Sequence, residues 1–147
     1  MSDQQTARGR TQESASVPPV IVVAGDDLLF SQRIASALEP LGYRPVIART
    51  AEAFHASLTG PPPAAAVLNL ASHRFDALAA IRAAKSGAAT RGVPLLGFCG
   101  HTDVARHRAA QAAGCDLVAT NGEVAGHLGR LLTQLLSASQ APPASGR

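Results

Sequence analysis

The stretch Ala64-Ala65-Ala66-Val67-Leu68-Asn69-Leu70 is an unbroken apolar run with a single polar side chain, Asn69, near its end. Pro61-Pro62-Pro63 breaks the chain before it and the polar Ser72-His73-Arg74 follows it. A short run framed in this way reads as a strand buried on both faces, the environment of a central strand in a parallel sheet. In an open parallel sheet the ligand crevice lies beyond the carboxyl ends of the strands. Asn69 therefore stands where such folds keep their chemistry, and it is an amide, not a carboxylate.

Four further runs take their places around it. Pro19-Val20-Ile21-Val22-Val23 has no polar side chain, reads as a second central strand, and ends at Gly25-Asp26-Asp27. Arg44-Pro45-Val46-Ile47-Ala48 carries a proline and belongs nearer an edge. Val93-Pro94-Leu95-Leu96-Gly97-Phe98 runs into Cys99-Gly100-His101, and Asp116-Leu117-Val118-Ala119-Thr120 is the last strand.

Helical patterns separate these runs. The first is expected from Leu28 to Leu38, with Leu28, Leu29, Ile34, Leu38 and Leu41 on its apolar face and Pro40-Leu41-Gly42 closing it. Thr50 is a good N-cap for a helix over Ala51 to Leu58, which Gly60-Pro61 stops. A third helix is expected from Phe75 to Ala84. A fourth is capped by Thr102, has Asp103 in its first turn, and ends at Ala113-Gly114. The last runs from Gly122 to Leu136 and buries Val124, Leu128, Leu131, Leu132 and Leu135. Strands alternating with helices imply right-handed crossovers and an α/β architecture: a five-stranded parallel sheet, doubly wound with helices on both faces. The strand ends at Asp26/Asp27, Asn69 and Cys99 then converge on one edge.

Composition agrees with this plan. A chain of 147 residues with 46% hydrophobic side chains can bury one core. Only 3% are aromatic, so Ala, Val, Leu and Ile must fill that core, which favours helices packed on a sheet over an aromatic-rich β-sandwich. Residues 1–17 and 138–147 are polar or Pro/Ser-rich without periodicity and read as disordered tails around a domain over 18–137. The net charge is +3, but the basic residues are scattered arginines without interleaved aromatics, which argues against a nucleic-acid binder. No run is long enough to span a bilayer and the N-terminus lacks a secretory pattern, so a cytoplasmic protein with no membrane partner is expected. Cys99 closes one strand and Cys115 opens the next parallel one. That placement separates them by more than the roughly 7 Å that a bridge allows, and reduced thiols fit the cytoplasm.

The strand-end residues define the chemistry on offer. Mg²⁺ binds carboxylates and carbonyls in a near-octahedral array, and the pair Asp26/Asp27 could begin such a site. A phosphoryl acceptor needs a carboxylate as nucleophile, and the neighbouring strand end supplies Asn69 instead. The alternative role of the acidic pair is to follow a strand and cap the next helix. Asn69, for its part, could be a satisfied polar residue bridging the pair to a loop amide. His73, His101, Cys99 and Asp27 do not have a recognised metal-ligand spacing. Gly25-Asp26 lacks both the G-x-G-x-x-G pattern and a Walker lysine, so it is no phosphate cradle.

Over about Pro19 to Leu136 the pattern resembles the CheY-like receiver domains of bacterial response regulators. Asp26-Asp27 falls on the family's acidic metal-binding pair, Asn69 on its phosphoacceptor aspartate, and Asp76-Ala77-Leu78 on the Asp-Gly-Leu that opens the third helix. Val93-Pro94-Leu95-Leu96 matches the fourth strand, with Cys99 at the switch Ser/Thr position. Ala112-Ala113-Gly114-Cys115-Asp116 matches the approach to the fifth strand, and Thr120-Asn121-Gly122 stands where the family has Thr-Lys-Pro.

The resemblance implies a flavodoxin/CheY-like fold with a degenerate, pseudo-receiver pocket made of Asp26, Asp27, Asn69, Cys99 and Asn121. It also implies a stand-alone, non-enzymatic signalling domain of a two-component or phosphorelay-type pathway. Such a domain binds a protein partner as a monomer or weak homodimer, without aspartyl phosphorylation. Its partner surface would run from the fourth helix to the last, about Val104 to Leu136, including Arg106, Arg108 and Val118. No cofactor is expected beyond Mg²⁺ at Asp26/Asp27. The alternative function is a small-ligand or divalent-metal sensor using the Asp26/Asp27/Asn69 edge.

Overall fold

The computed structural model describes residues 17–140; of the tails expected over 1–17 and 138–147, positions 1–16 and 141–147 lie outside the described residues. Five parallel strands form one sheet: β1 (Val20–Ala24), β2 (Arg44–Ala48), β3 (Ala65–Asn69), β4 (Leu95–Cys99) and β5 (Leu117–Thr120), in the order β2-β1-β3-β4-β5. The Asn69 strand is therefore central, and the proline-bearing β2 is an edge. Helices α1 (Leu28–Leu38), α2 (Ala51–Thr59), α3 (Ala77–Ser86), α4 (Val104–Ala113) and α5 (Asn121–Gln140) connect and flank the strands. This is the doubly wound CheY-like, flavodoxin-type arrangement that the βα alternation predicts.

Side chains alternate across the sheet, as the strand period of two requires. On one face Ile21, Val23, Val67, Leu96 and Phe98 pack with Ile34 and Leu38 of α1 and with Val124, Leu128 and Leu132 of α5. On the other, Val22, Leu68, Leu95 and Cys99 pack with Phe54 and Leu58 of α2, Ile81 and Ala84 of α3 and Ala110 of α4. Each face burying a full layer explains why the strand sequences are almost entirely apolar.

Several local expectations change. The buried face of α1 is Ser31, Ile34, Ala35 and Leu38, a single stripe of helical period. Leu28, Leu29 and Leu41 are 44%, 68% and 46% exposed. Leu29 falls off the stripe, and Leu28 follows its line only in the first turn, where the helix begins. Helix α3 starts at Ala77 with Asp76 as its N-cap, while Phe75 is buried against Phe54 with ring centroids 5.9 Å apart.

The cap of α4 is Asp103, not Thr102: its carboxylate accepts from the Arg106 N–H at 3.2 Å and pairs with the Arg106 guanidinium. A carboxylate gains more than a hydroxyl from a helix N-terminus and a cation together. Helix α5 buries the expected stripe but runs on to Gln140, into the span expected as a tail, and its backbone leaves helical geometry at His127 (φ −138°, ψ 35°).

Candidate functional site at the carboxyl edge of the sheet

The strand register brings the carboxyl ends of all five strands level: Ala24 pairs with Ala48 and Leu68, Asn69 with Phe98, and Cys99 with Thr120. Just beyond β1, Gly25 passes so close to β3 that a Cβ there would lie 2.9 Å from the Asn69 Cβ and 3.2 Å from the Ser72 Oγ. Real Cβ atoms do not approach so closely, so only glycine lets the acidic pair sit beside position 69.

The polar groups here hold one another. The Asp26 Oδ2 accepts the backbone N–H groups of His73 at 2.8 Å and Arg74 at 2.6 Å. The Asp26 N–H donates to the Ser72 Oγ at 3.3 Å, and that hydroxyl donates to the Asn69 carbonyl oxygen at 3.0 Å. The Asn69 Oδ1 accepts the Ala71 N–H at 2.9 Å, an Asx turn. Asp26 is thus a clamp on the loop between β3 and α3. Asn69 closes that loop from inside, and the residue bridging it to Asp26 is Ser72, which sequence reasoning did not single out. Amide donors, the Arg74 N–H foremost, hold the Asp26 carboxyl below its ordinary value against the opposing effect of burial. Asp27 caps α1, its Oδ1 accepting from the Phe30 N–H at 3.0 Å.

Cys99 and Asn121 are placed differently. Cys99 is buried in the layer under α2, α3 and α4, where burial first and the Asp103 charge second push its thiol pKa up. The register partner of Asn69 is Phe98, whose ring lies 5.0 Å from that of Phe30. Asn121 is exposed at the start of α5 and lines a groove of about 540 Å³ with Asp27, Phe30, Arg33 and Val124. A reciprocal capping box fixes this junction: the Thr120 N–H donates to Glu123 Oε1 at 2.8 Å, and the Glu123 N–H donates to Thr120 Oγ1 at 3.1 Å. The pattern Thr120-Asn-Gly-Glu123 was readable in the sequence as a cap.

The chain's one lysine, Lys85, is at the opposite rim. It pairs with Asp116 at 2.7 Å and donates to the carbonyls of Arg91 and Val93, ahead of β4 and β5. The cations near the acidic pair are instead arginines. A cavity of about 720 Å³ is lined by Asp26, Asp27, Arg49, Thr50, His73 and Arg74. Arg49 follows β2 directly, so its place at this edge could have been read from the strand assignment.

Mg²⁺ would find two carboxylates here, but the Asn69 Oδ1 is directed at its own loop, and one oxygen of each carboxylate, Asp26 Oδ2 and Asp27 Oδ1, already serves amide donors. Among the described residues no three His, Cys, Asp or Glu side chains are grouped to hold a metal ion. Of the residues expected on a partner surface, Arg106 and Arg108 are exposed on α4, whereas Val118 is half-buried against the core. Among the described residues no helix is long and apolar enough to cross a membrane.

No protein-family model and no curated protein matches the sequence. Solved structures do resemble it in shape. The signal receiver domain of a signal transduction histidine kinase from Syntrophus aciditrophicus superposes with a TM-score of 0.73 at 18% identity, over 86% of this chain and 96% of that one. A CheY-like response regulator receiver domain protein from Methanospirillum hungatei JF-1 gives 0.73 at 17%, over 84% and 97%. A response regulator signal receiver domain from Bermanella marisrubri gives 0.72 at 21%, over 81% and 98%. The chain therefore has the fold of the CheY-like response-regulator receiver domains.

Proposed function

We propose that this protein is a receiver-like signalling module that works by binding a protein partner in a two-component or phosphorelay-type pathway, and that it takes no phosphoryl group at position 69. The observation that carries this reading is the amide at the acceptor position. A carboxamide is a far poorer nucleophile than a carboxylate and forms no acyl phosphate. Its oxygen, moreover, is committed to the Ala71 N–H. The position that would carry a phosphate-binding lysine is Asn121, which leaves the developing charge without that cation.

Without a nucleophile and base held together at this edge, the module is not an enzyme and acts through its surface. The contact face is α4, β5 and α5, with Arg106 and Arg108 among its exposed cations. Two free, buried thiols suit a reducing cytoplasm. Incubation with acetyl phosphate and Mg²⁺ followed by intact mass measurement is expected to show unmodified protein; a phosphoryl adduct overturns the proposal. Partner capture is expected to fall when Arg106 and Arg108 are both replaced by glutamine, and capture unchanged by that pair refutes the face assignment.

A further inference from the structure

The cavity beside the acidic pair carries an inference that rests on the reading above and names what the edge binds in place of a covalent phosphoryl group. We infer that Arg49 and Arg74 make this cavity a non-covalent site for a phosphate monoester.

Two opposing charges share the walls, and the structure distinguishes how each is employed. Asp26 turns its Oδ2 to the His73 and Arg74 backbone N–H groups, and Asp27 turns its Oδ1 to the first turn of α1. Asp26 thereby fixes the backbone from which the Arg74 side chain springs. Among the described residues the two guanidiniums have no such employment. The ion pairs among the described residues are Lys85 with Asp116 and Arg106 with Asp103; neither Arg49 nor Arg74 takes part in one, and neither side chain makes a hydrogen bond there. Arg49 and Arg74 both line this cavity, and planar guanidinium forks are the donors suited to a tetrahedral dianion.

The helix wall adds to this. Helix α2 begins in the cavity at Thr50, whose hydroxyl accepts only the Ala53 N–H at 3.0 Å. Thr50 is the part of that helix end that lines the space shared with the arginines. The volume of about 720 Å³ exceeds the needs of a bare phosphate and lies within the range of small-molecule sites, about 300–1,000 Å³. A phosphate carrying an organic group of nucleoside size therefore fits better than the free ion.

Isothermal titration calorimetry of the full chain at constant ionic strength tests this with AMP, inorganic phosphate and adenosine. AMP is expected to bind saturably and adenosine not to bind. Inorganic phosphate is expected to bind more weakly than AMP, and equal binding overturns the monoester assignment. Replacing both Arg49→Gln and Arg74→Gln is expected to weaken AMP at least about tenfold while the circular dichroism spectrum is unchanged. Arg82→Gln, an exposed arginine on α3 away from the cavity, is expected to leave the affinity alone. Absence of binding by AMP and phosphate alike, adenosine binding as well as AMP, or equal losses in the Arg82 and Arg49/Arg74 variants each overturn the inference. Acetyl-phosphate mass measurement reports on position 69 independently, so the two readings fail separately.

Discussion

Replacing Asp26 by alanine removes the acceptor for two backbone N–H groups that lie 47 and 48 positions away, and leaves the backbone N–H of position 26 on the Ser72 hydroxyl as a tie to the loop leading to α3. Hydrogen bonds to a charged group contribute about 1.5–3 kcal/mol each. At this half-exposed edge water competes for both partners, so the pair together is expected to contribute about 1.5–3 kcal/mol. In a domain of this length that lowers Tm by about 5–10 °C.

The effect carries a pH signature. The folded Asp26 carboxyl is held below its unfolded value of 3.8. A depressed folded pKa contributes stability that is complete above the unfolded value and is lost as pH falls through the folded one. The stability gap between wild type and Asp26→Ala is thus expected to be constant from about pH 7 to pH 5 and to close below about pH 4. Thermal unfolding followed by circular dichroism across that range, with hydrogen exchange at His73 and Arg74, measures both parts. A gap below about 0.5 kcal/mol at pH 7, a gap that persists at low pH, or unaltered exchange at those two amides refutes the clamp.

Other outcomes follow from the same geometry. Gly25→Ala is expected to cost about 1–3 kcal/mol by chemical denaturation, because its Cβ would meet Asn69 at 2.9 Å; a neutral change refutes the close approach. Glu123→Ala is expected to lose about 1 kcal/mol by removing half of the capping box, and protection of the Thr120 amide should fall with it. Both thiols are expected to resist alkylation at pH 8 in the native protein and to react after unfolding, since Cys115 is pushed up to about 11 by burial and Cys99 is raised for the same cause. Rapid native modification of either refutes its placement.

What the sequence made legible, and what it hid, divides along one physical line. The strands were legible because burial on two faces strips them of polar side chains, so β3 announced itself and Pro45 marked β2 as an edge. The stripe of α5 was legible from period alone. The apolar face of α1 was misjudged because Leu29 lies off the helical period and Leu28 stands at the end of the helix, where period no longer implies cover. The local cap at Asp27 could be anticipated, since it joins residues three apart. The role of Asp26 could not, because its partners are distant backbone groups that no side-chain pattern encodes. Asn69 was correctly placed at the edge beside the pair, yet its bond to Ala71 depends on a loop shape that folding creates.

The departure from helical geometry at His127 has a mechanical consequence. Ahead of it, the opening turns of α5 are tied to the end of β5 by Thr120 and Glu123 and anchored by Val124. Beyond it, Leu128, Leu131, Leu132 and Leu135 moor the remainder to the layer shared with α1. What looks like one rod is two helical spans joined at a bend, both seated on the same layer. The bend therefore lies between two anchored spans, held by Val124 ahead of it and Leu128 after it, and lets each follow the sheet in its own direction.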